Sequence, residues 1–231
     1  MLLSSKNISI ITTTRSGSTY LANLLNNTDR FNHDLWLEEL FLLENAPYKK
    51  FKRTVNKLIS TEGGVIKDCI DWIWLANPNW YRSRNKTKLF NNYIRFLHST
   101  YMVKLVRDDK FEQILSHCIS EIDNIWHVTK PLENRNIYIS PDKFTSHYRT
   151  QVLKIKYMNG LFPKVDQIVN YKDLTFDPNI DINLFPGLKL NNGYKSDTIR
   201  MNPDKINIVN NYYELLELFN HFELGNKNDC I

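Results

Sequence analysis

The chain has 231 residues, 42% hydrophobic and 24% charged, enough to bury the core of one domain spanning residues 1–231. A net charge of +5 suits a small polyanionic ligand, and the nearest approach to a basic patch, at residues 48–53, reads as a solvated helix face rather than a nucleic-acid surface. No apolar run approaches the ~18 residues of a membrane span, no basic stretch leads into an apolar one, and Cys69, Cys118 and Cys230 show no metal-binding spacing; a cytoplasmic protein without membrane insertion or a metal is expected.

Residues 7–27 open with a β-branched apolar run (Ile8, Ile10, Ile11), continue through a polar loop and end in a helical pattern with Tyr20, Leu21, Leu24 and Leu25. Residues 34–60 read as mostly helical. The Gly63-Gly64 pair breaks the chain before a short strand at residues 65–70. Residues 71–85, with Trp72, Trp74, Trp80 and Tyr81 around Pro78, read as an aromatic-lined loop. A helix is predicted over 88–99, a strand over 101–106, and a helix over 111–122. Residues 126–142 read as irregular, 144–159 as helical, and 167–171 as a further strand. A final helix is predicted from about residue 202 to residue 222. Strands alternating with helices predict an α/β fold: one three-layer domain around a mainly parallel sheet. Ligands of such sheets bind beyond the carboxyl ends of the strands.

Arg15 and Arg107 each follow a predicted strand, so both can face one crevice. The loop Arg15-Ser16-Gly17-Ser18-Thr19 leads into a helix N-terminus, an arrangement that presents backbone N–H groups to an anion. It lacks the glycine-lysine spacing of nucleotide hydrolases, which excludes ATP or GTP hydrolysis as the expected chemistry. Nine positions after Arg107, Ser116 lies in the following helix, and the pair can supply a guanidinium fork and a hydroxyl to one phosphate.

These segments resemble those of sulfotransferases that use PAPS (3′-phosphoadenosine 5′-phosphosulfate). The string TTTRSGSTYL at residues 12–21 is similar to the family's 5′-phosphosulfate loop. Arg107 with Ser116, and Gln113 between them, is similar to its 3′-phosphate motif, in the spacing of the bacterial trehalose 2-sulfotransferase branch. Leu37-Glu38-Glu39-Leu40-Phe41 resembles that branch's acidic segment, although Trp36 and Leu37 stand where its proline is expected. Gly64-Val65-Ile66-Lys67 and Val169-Asn170-Tyr171-Lys172-Asp173-Leu174, followed by Asp177-Pro178, resemble two further strands in order.

The resemblance implies a P-loop-like fold and transfer of a sulfuryl group from PAPS to an acceptor hydroxyl, with a carbohydrate favoured by the resemblance, and release of PAP (adenosine 3′,5′-bisphosphate). It assigns Arg15, Ser16, Gly17, Ser18, Thr19, Arg107 and Ser116 to the cofactor. Arg15 also stabilises the leaving phosphate. Glu39 is the implied general base, with Glu38 and His33 as rivals, because adjacent helical residues point about 100° apart and only one carboxylate faces a cleft. Lys67 and Trp72 are assigned to the sulfuryl group or acceptor. His98, His117 and His127 fall in no motif. The alternative is a non-catalytic PAP- or nucleotide-binding protein of the same fold.

Overall fold

The computed structural model describes residues 7–13, 15–31, 53, 56–57, 60, 62–69, 84–124, 136–196 and 205–228. Glu38, Glu39, His33 and Trp72, and most of the helical stretch expected over 34–60, lie outside the described residues.

The described elements run β1 (Ile8–Thr12), α1 (Ser18–Asn26), β2 (Val65–Cys69), α2 (Arg84–Leu97), β3 (Tyr101–Val106), α3 (Lys110–Asp123), α4 (Pro141–Leu161), β4 (Gln167–Asn170), the short α5 (Pro178–Asp181) and α6 (Tyr212–Asn228). The four strands form one sheet in the order β2-β1-β3-β4, and every pairing is parallel. The chain is therefore α/β. All five residues of β1 are buried, the mark of a central parallel strand covered on both faces.

The register sorts side chains by face. Ile8, Ile10 and Thr12 align with Val65, Lys67 and Cys69 on one side and with Tyr101, Val103 and Leu105 on the other. This face packs with Tyr20, Leu21, Leu24 and Leu25 of α1 in one apolar cluster. The opposite face carries Ser9, Ile11, Met102 and Lys104; Lys104 Nζ donates to Asn159 Oδ1 of α4 at 2.6 Å. Helices therefore cover both faces. A second apolar cluster joins α3, α4 and α6 through Phe111, Leu115, Phe144, Tyr148 and Leu215.

Local chemistry sets the helix starts. Asp109 caps α3 by accepting from Glu112 N at 2.9 Å. Ser140 caps α4 by accepting from Lys143 N, and Pro141, whose missing N–H costs nothing there, occupies the first turn. The predicted final helix is shifted. Residues 205–207 form only a 3-10 turn, and the helix begins at Tyr212. The reason is long-range: Ile208 and Val209 are buried, Ile137 N donates to Ile208 O at 2.8 Å, and Asn210 N donates to Ile137 O at 2.9 Å. That isolated bridge keeps residues 205–211 in turns and delays the helix to Tyr212.

The strand order locates the crevice. From β1 the chain moves to β2 on one side, then crosses to β3 on the other and on to β4. The direction reverses between β1 and β3, the switch point at which loops part beyond the strand ends.

Candidate anion-binding site

Arg15 and Arg107 both lie at that switch point. Arg107 directly follows β3, and Arg15 lies three residues beyond β1. The Arg107 guanidinium turns back over the first loop: its Nη1 donates to the Arg15 carbonyl oxygen at 3.0 Å. Its Cζ sits 4.4 Å from the centroid of the Tyr171 ring, a cation–π contact. Arg15 Nε donates to Ser116 Oγ at 3.3 Å. The two arginines and Ser116 thus belong to one constellation, and Ser116 is bonded to Arg15.

Two guanidiniums held together in a partly buried place oppose each other. Burial first, and then the positive charge of Arg107, lower the Arg15 pKa from the ordinary arginine range to about 10, with Tyr171 acting the other way. An anion placed between them would offset both causes. The Arg15 backbone is also in the left-handed region, with φ 60°, an uncommon conformation for a residue with a side chain and a frequent one at ligand sites.

The loop is pinned from below. Thr12 Oγ1 donates to Leu105 O at 3.0 Å, tying the end of β1 to β3, and the buried Ser16 hydroxyl bonds to the same Thr12 oxygen. Ser16 is therefore directed into the loop, and its side chain serves as an anchor. Thr13 Oγ1 accepts from two glutamine amides, Gln113 Nε2 of α3 at 2.9 Å and Gln151 Nε2 of α4 at 3.0 Å. Gly17 is the N-cap of α1, with φ 83°. A Cβ there would meet the Tyr171 ring at 3.0 Å, so this turn requires glycine both for its backbone and for its space. Neither Ser16 nor Ser18 caps α1, and Ser18 is its buried first residue.

Lys67 shares the α1 face of the sheet, and its Nζ donates to Thr19 Oγ1 at 3.0 Å. A hydroxyl that accepts from an ammonium keeps its own proton to donate, which suits Thr19 to an anion beside the first turn of α1. This contact ties Lys67 of β2 to the first turn of α1.

Two partners escaped the sequence. Tyr171 closes β4: the expected strand over 167–171 stops at Asn170, and Tyr171 opens a 3-10 turn beneath Arg107 and Gly17. Lys205 is buried and paired with Glu112 of α3. Its pKa is lowered by burial above all, with Glu112 opposing and Arg107 adding repulsion, which brings a third cation to the neighbourhood. The second tyrosine of the region, Tyr20, is structural. It donates to Asp181 Oδ2 at 2.6 Å, and burial and this bond raise its pKa. Asp181 also accepts from Thr175 N, Thr175 Oγ1 and Phe176 N, at 2.8–2.9 Å, and fastens the turn after Tyr171.

No family model matches this chain, and no curated protein matches it. Among the described residues no helix is long and apolar enough to cross a membrane.

Proposed function

We propose that this protein is a PAPS-dependent sulfotransferase with a P-loop-like nucleotide-binding fold, acting on an acceptor hydroxyl. The observation that carries the reading is the meeting of Arg15, Arg107 and Ser116 beyond adjacent parallel strands at the point of strand reversal. Opposed, partly buried guanidiniums fit a ligand with phosphate charge, because such a ligand offsets both the desolvation and the mutual repulsion that lower the Arg15 pKa. Assignment to sulfuryl rather than phosphoryl transfer rests on the sequence resemblance, which is an argument by analogy.

In this reading Arg15, Gly17, Ser18 and Thr19 receive the 5′ end of the cofactor at the start of α1, with Ser16 holding the loop. Arg107 and Ser116 receive the 3′-phosphate. Bound PAPS supplies an activated sulfuryl group whose leaving group is a phosphate. Arg15 is positioned to stabilise negative charge growing on that leaving group. Glu39, from the segment outside the described residues, takes the proton of the acceptor hydroxyl. The arginine cluster supplies the charge stabilisation that a metal supplies elsewhere.

The test pairs binding with turnover. PAP is expected to raise the melting temperature, and AMP, which lacks the 3′-phosphate, to do so far less at equal concentration. A screen of hydroxyl acceptors with labelled PAPS, read by transferred label and mass gain, is expected to find a sulfated product. Glu39→Gln is expected to lower turnover by roughly 100-fold or more with PAP affinity nearly intact. Equal stabilisation by PAP and AMP would remove the 3′-phosphate assignment. Binding of PAP with no turnover on any acceptor would favour the non-catalytic alternative.

A further inference from the structure

One polar cluster lies outside the anion site and takes no part in the proposed chemistry. Helices α3 and α4 meet along a ladder of paired positions. Gln113 and Gln151 converge on Thr13. Four residues farther along α3, and four back along α4, His117 and His147 face each other with ring centroids 4.5 Å apart. The next step pairs Glu121 with Lys143 at 3.1 Å. Each step spans about 6 Å of helix, since four residues rise 1.5 Å each.

His117 Nε2 lies 3.4 Å from Glu121 Oε1, and His147 Nε2 lies 3.2 Å from Glu121 Oε2. The three ligand-type atoms all fall within 4.8 Å of one another. Ligands about 2.0–2.1 Å from a tetrahedral zinc ion are themselves about 3.3–3.4 Å apart, and each imidazole already stands at about that distance from one oxygen of the carboxylate, His117 from Oε1 and His147 from Oε2.

We propose that His117, Glu121 and His147 form a binding site for a zinc-class divalent transition ion that clamps α3 to α4 beside the anion site. The donor set excludes magnesium and calcium as preferred ions, because both require all-oxygen ligands. Histidine and carboxylate at an i, i+4 spacing share one helix face, and the second imidazole arrives from the packed neighbour, so the ion would cross-link two elements. Burial foremost, and then the neighbouring His147, lowers the His117 pKa, and burial also lowers that of His147. Both rings must present Nε2 as a lone pair, with the proton on Nδ1.

The surroundings set a condition. Lys143 holds Glu121 in the metal-free state, and Lys154 and Arg15 add positive charge near His117. A dication must displace Lys143 from the carboxylate and work against the other two cations, which points to micromolar rather than tighter affinity. The same competition makes a diagnostic prediction: removing Lys143 strengthens binding.

This site is independent of the sulfotransferase reading, and its test needs no turnover. Tag-free full-length protein is titrated with zinc against a chromophoric chelator, and in parallel with Co2+, whose visible absorption reports ligand type and geometry. The parent is expected to take one equivalent in the micromolar range, with a cobalt spectrum of nitrogen and oxygen ligands. His147→Ala and Glu121→Gln, both at positions accessible enough to leave the core intact, are expected to weaken binding by at least the roughly 10- to 100-fold that loss of an outer-shell partner costs. Lys143→Ala is expected to tighten it. Absence of a saturable zinc site below the millimolar range, unchanged affinity in both weakening variants, or a thiolate charge-transfer band pointing to cysteine ligation would overturn the proposal.

Discussion

Replacing Arg15 with glutamine is expected to stabilise the ligand-free protein while weakening its response to PAP. Lowering the Arg15 pKa to about 10, at about 1.4 kcal/mol per unit, corresponds to a penalty on the charge in the ligand-free fold on the order of 3 kcal/mol. The sign follows from the direction. Charge is disfavoured in the folded state, so the penalty is full below about pH 10 and fades as pH rises above it toward the ordinary arginine range. Against it stands the Arg15–Ser116 hydrogen bond, long at 3.3 Å and worth about 1 kcal/mol. Glutamine removes the charge penalty together with this bond and the remaining contacts of the side chain, so the net gain is at most roughly 1–2 kcal/mol, with about 2–4 °C in Tm for each kcal/mol in a chain of this size.

The ligand response moves the other way. At 100 times its Kd, PAP stabilises the parent by about 2.7 kcal/mol. Loss of a charge-assisted contact worth about 1.5–3 kcal/mol weakens binding roughly 10- to 100-fold, so the same PAP concentration then contributes about 1.4 kcal/mol or less. Thermal unfolding of both proteins at pH 7.5, with and without PAP, gives all four values. An Arg15→Gln protein that is less stable without ligand would refute the argument from opposed charges. An undiminished PAP response in it would remove Arg15 from the binding site.

Arg107→Ala deletes the contact to the Arg15 carbonyl and the stack on Tyr171 together with the proposed phosphate contacts, and is expected to reduce PAP affinity roughly 10- to 100-fold by calorimetry. Gly17→Ala introduces a Cβ at φ 83° and 3.0 Å from the Tyr171 ring; strain of about 1–2 kcal/mol and a comparable packing conflict should lower the urea midpoint and impair PAP binding together, and unchanged binding would show that the loop re-forms without glycine. Asp181→Asn turns a buried acceptor of four hydrogen bonds into a group that also presents donors to donors, at an expected cost of about 2–4 kcal/mol in urea unfolding, with no direct effect on the acceptor side of the reaction.

The order of elements was written in local sequence. β-Branched runs at Ile8–Thr12, Val65–Cys69 and Tyr101–Val106 became parallel strands, and Asp109 and Ser140 began the helices that follow them, because strand preference and N-capping act within a few residues. The positions of Arg15 and Arg107 just past strand ends were legible for the same reason, and the parallel sheet then turned two distant arginines into neighbours. What the sequence left open were contacts whose partners lie far apart along the chain. Ser116 could be paired with Arg107 on spacing, yet its hydroxyl accepts from Arg15. Tyr171 read as the end of a strand, and the turn that stops β4 one residue earlier makes it the floor under Arg107 and Gly17. Residues 205–211 carried no local signal against a helix, and a bridge to Ile137 held them in turns instead. His117 and His147 belong to no motif, because a cluster formed by the crossing of α3 and α4 has no fixed spacing to read. Periodicity and capping report forces acting over one helical turn or one strand step, whereas the register in which distant helices and loops pack is decided only when the whole core closes.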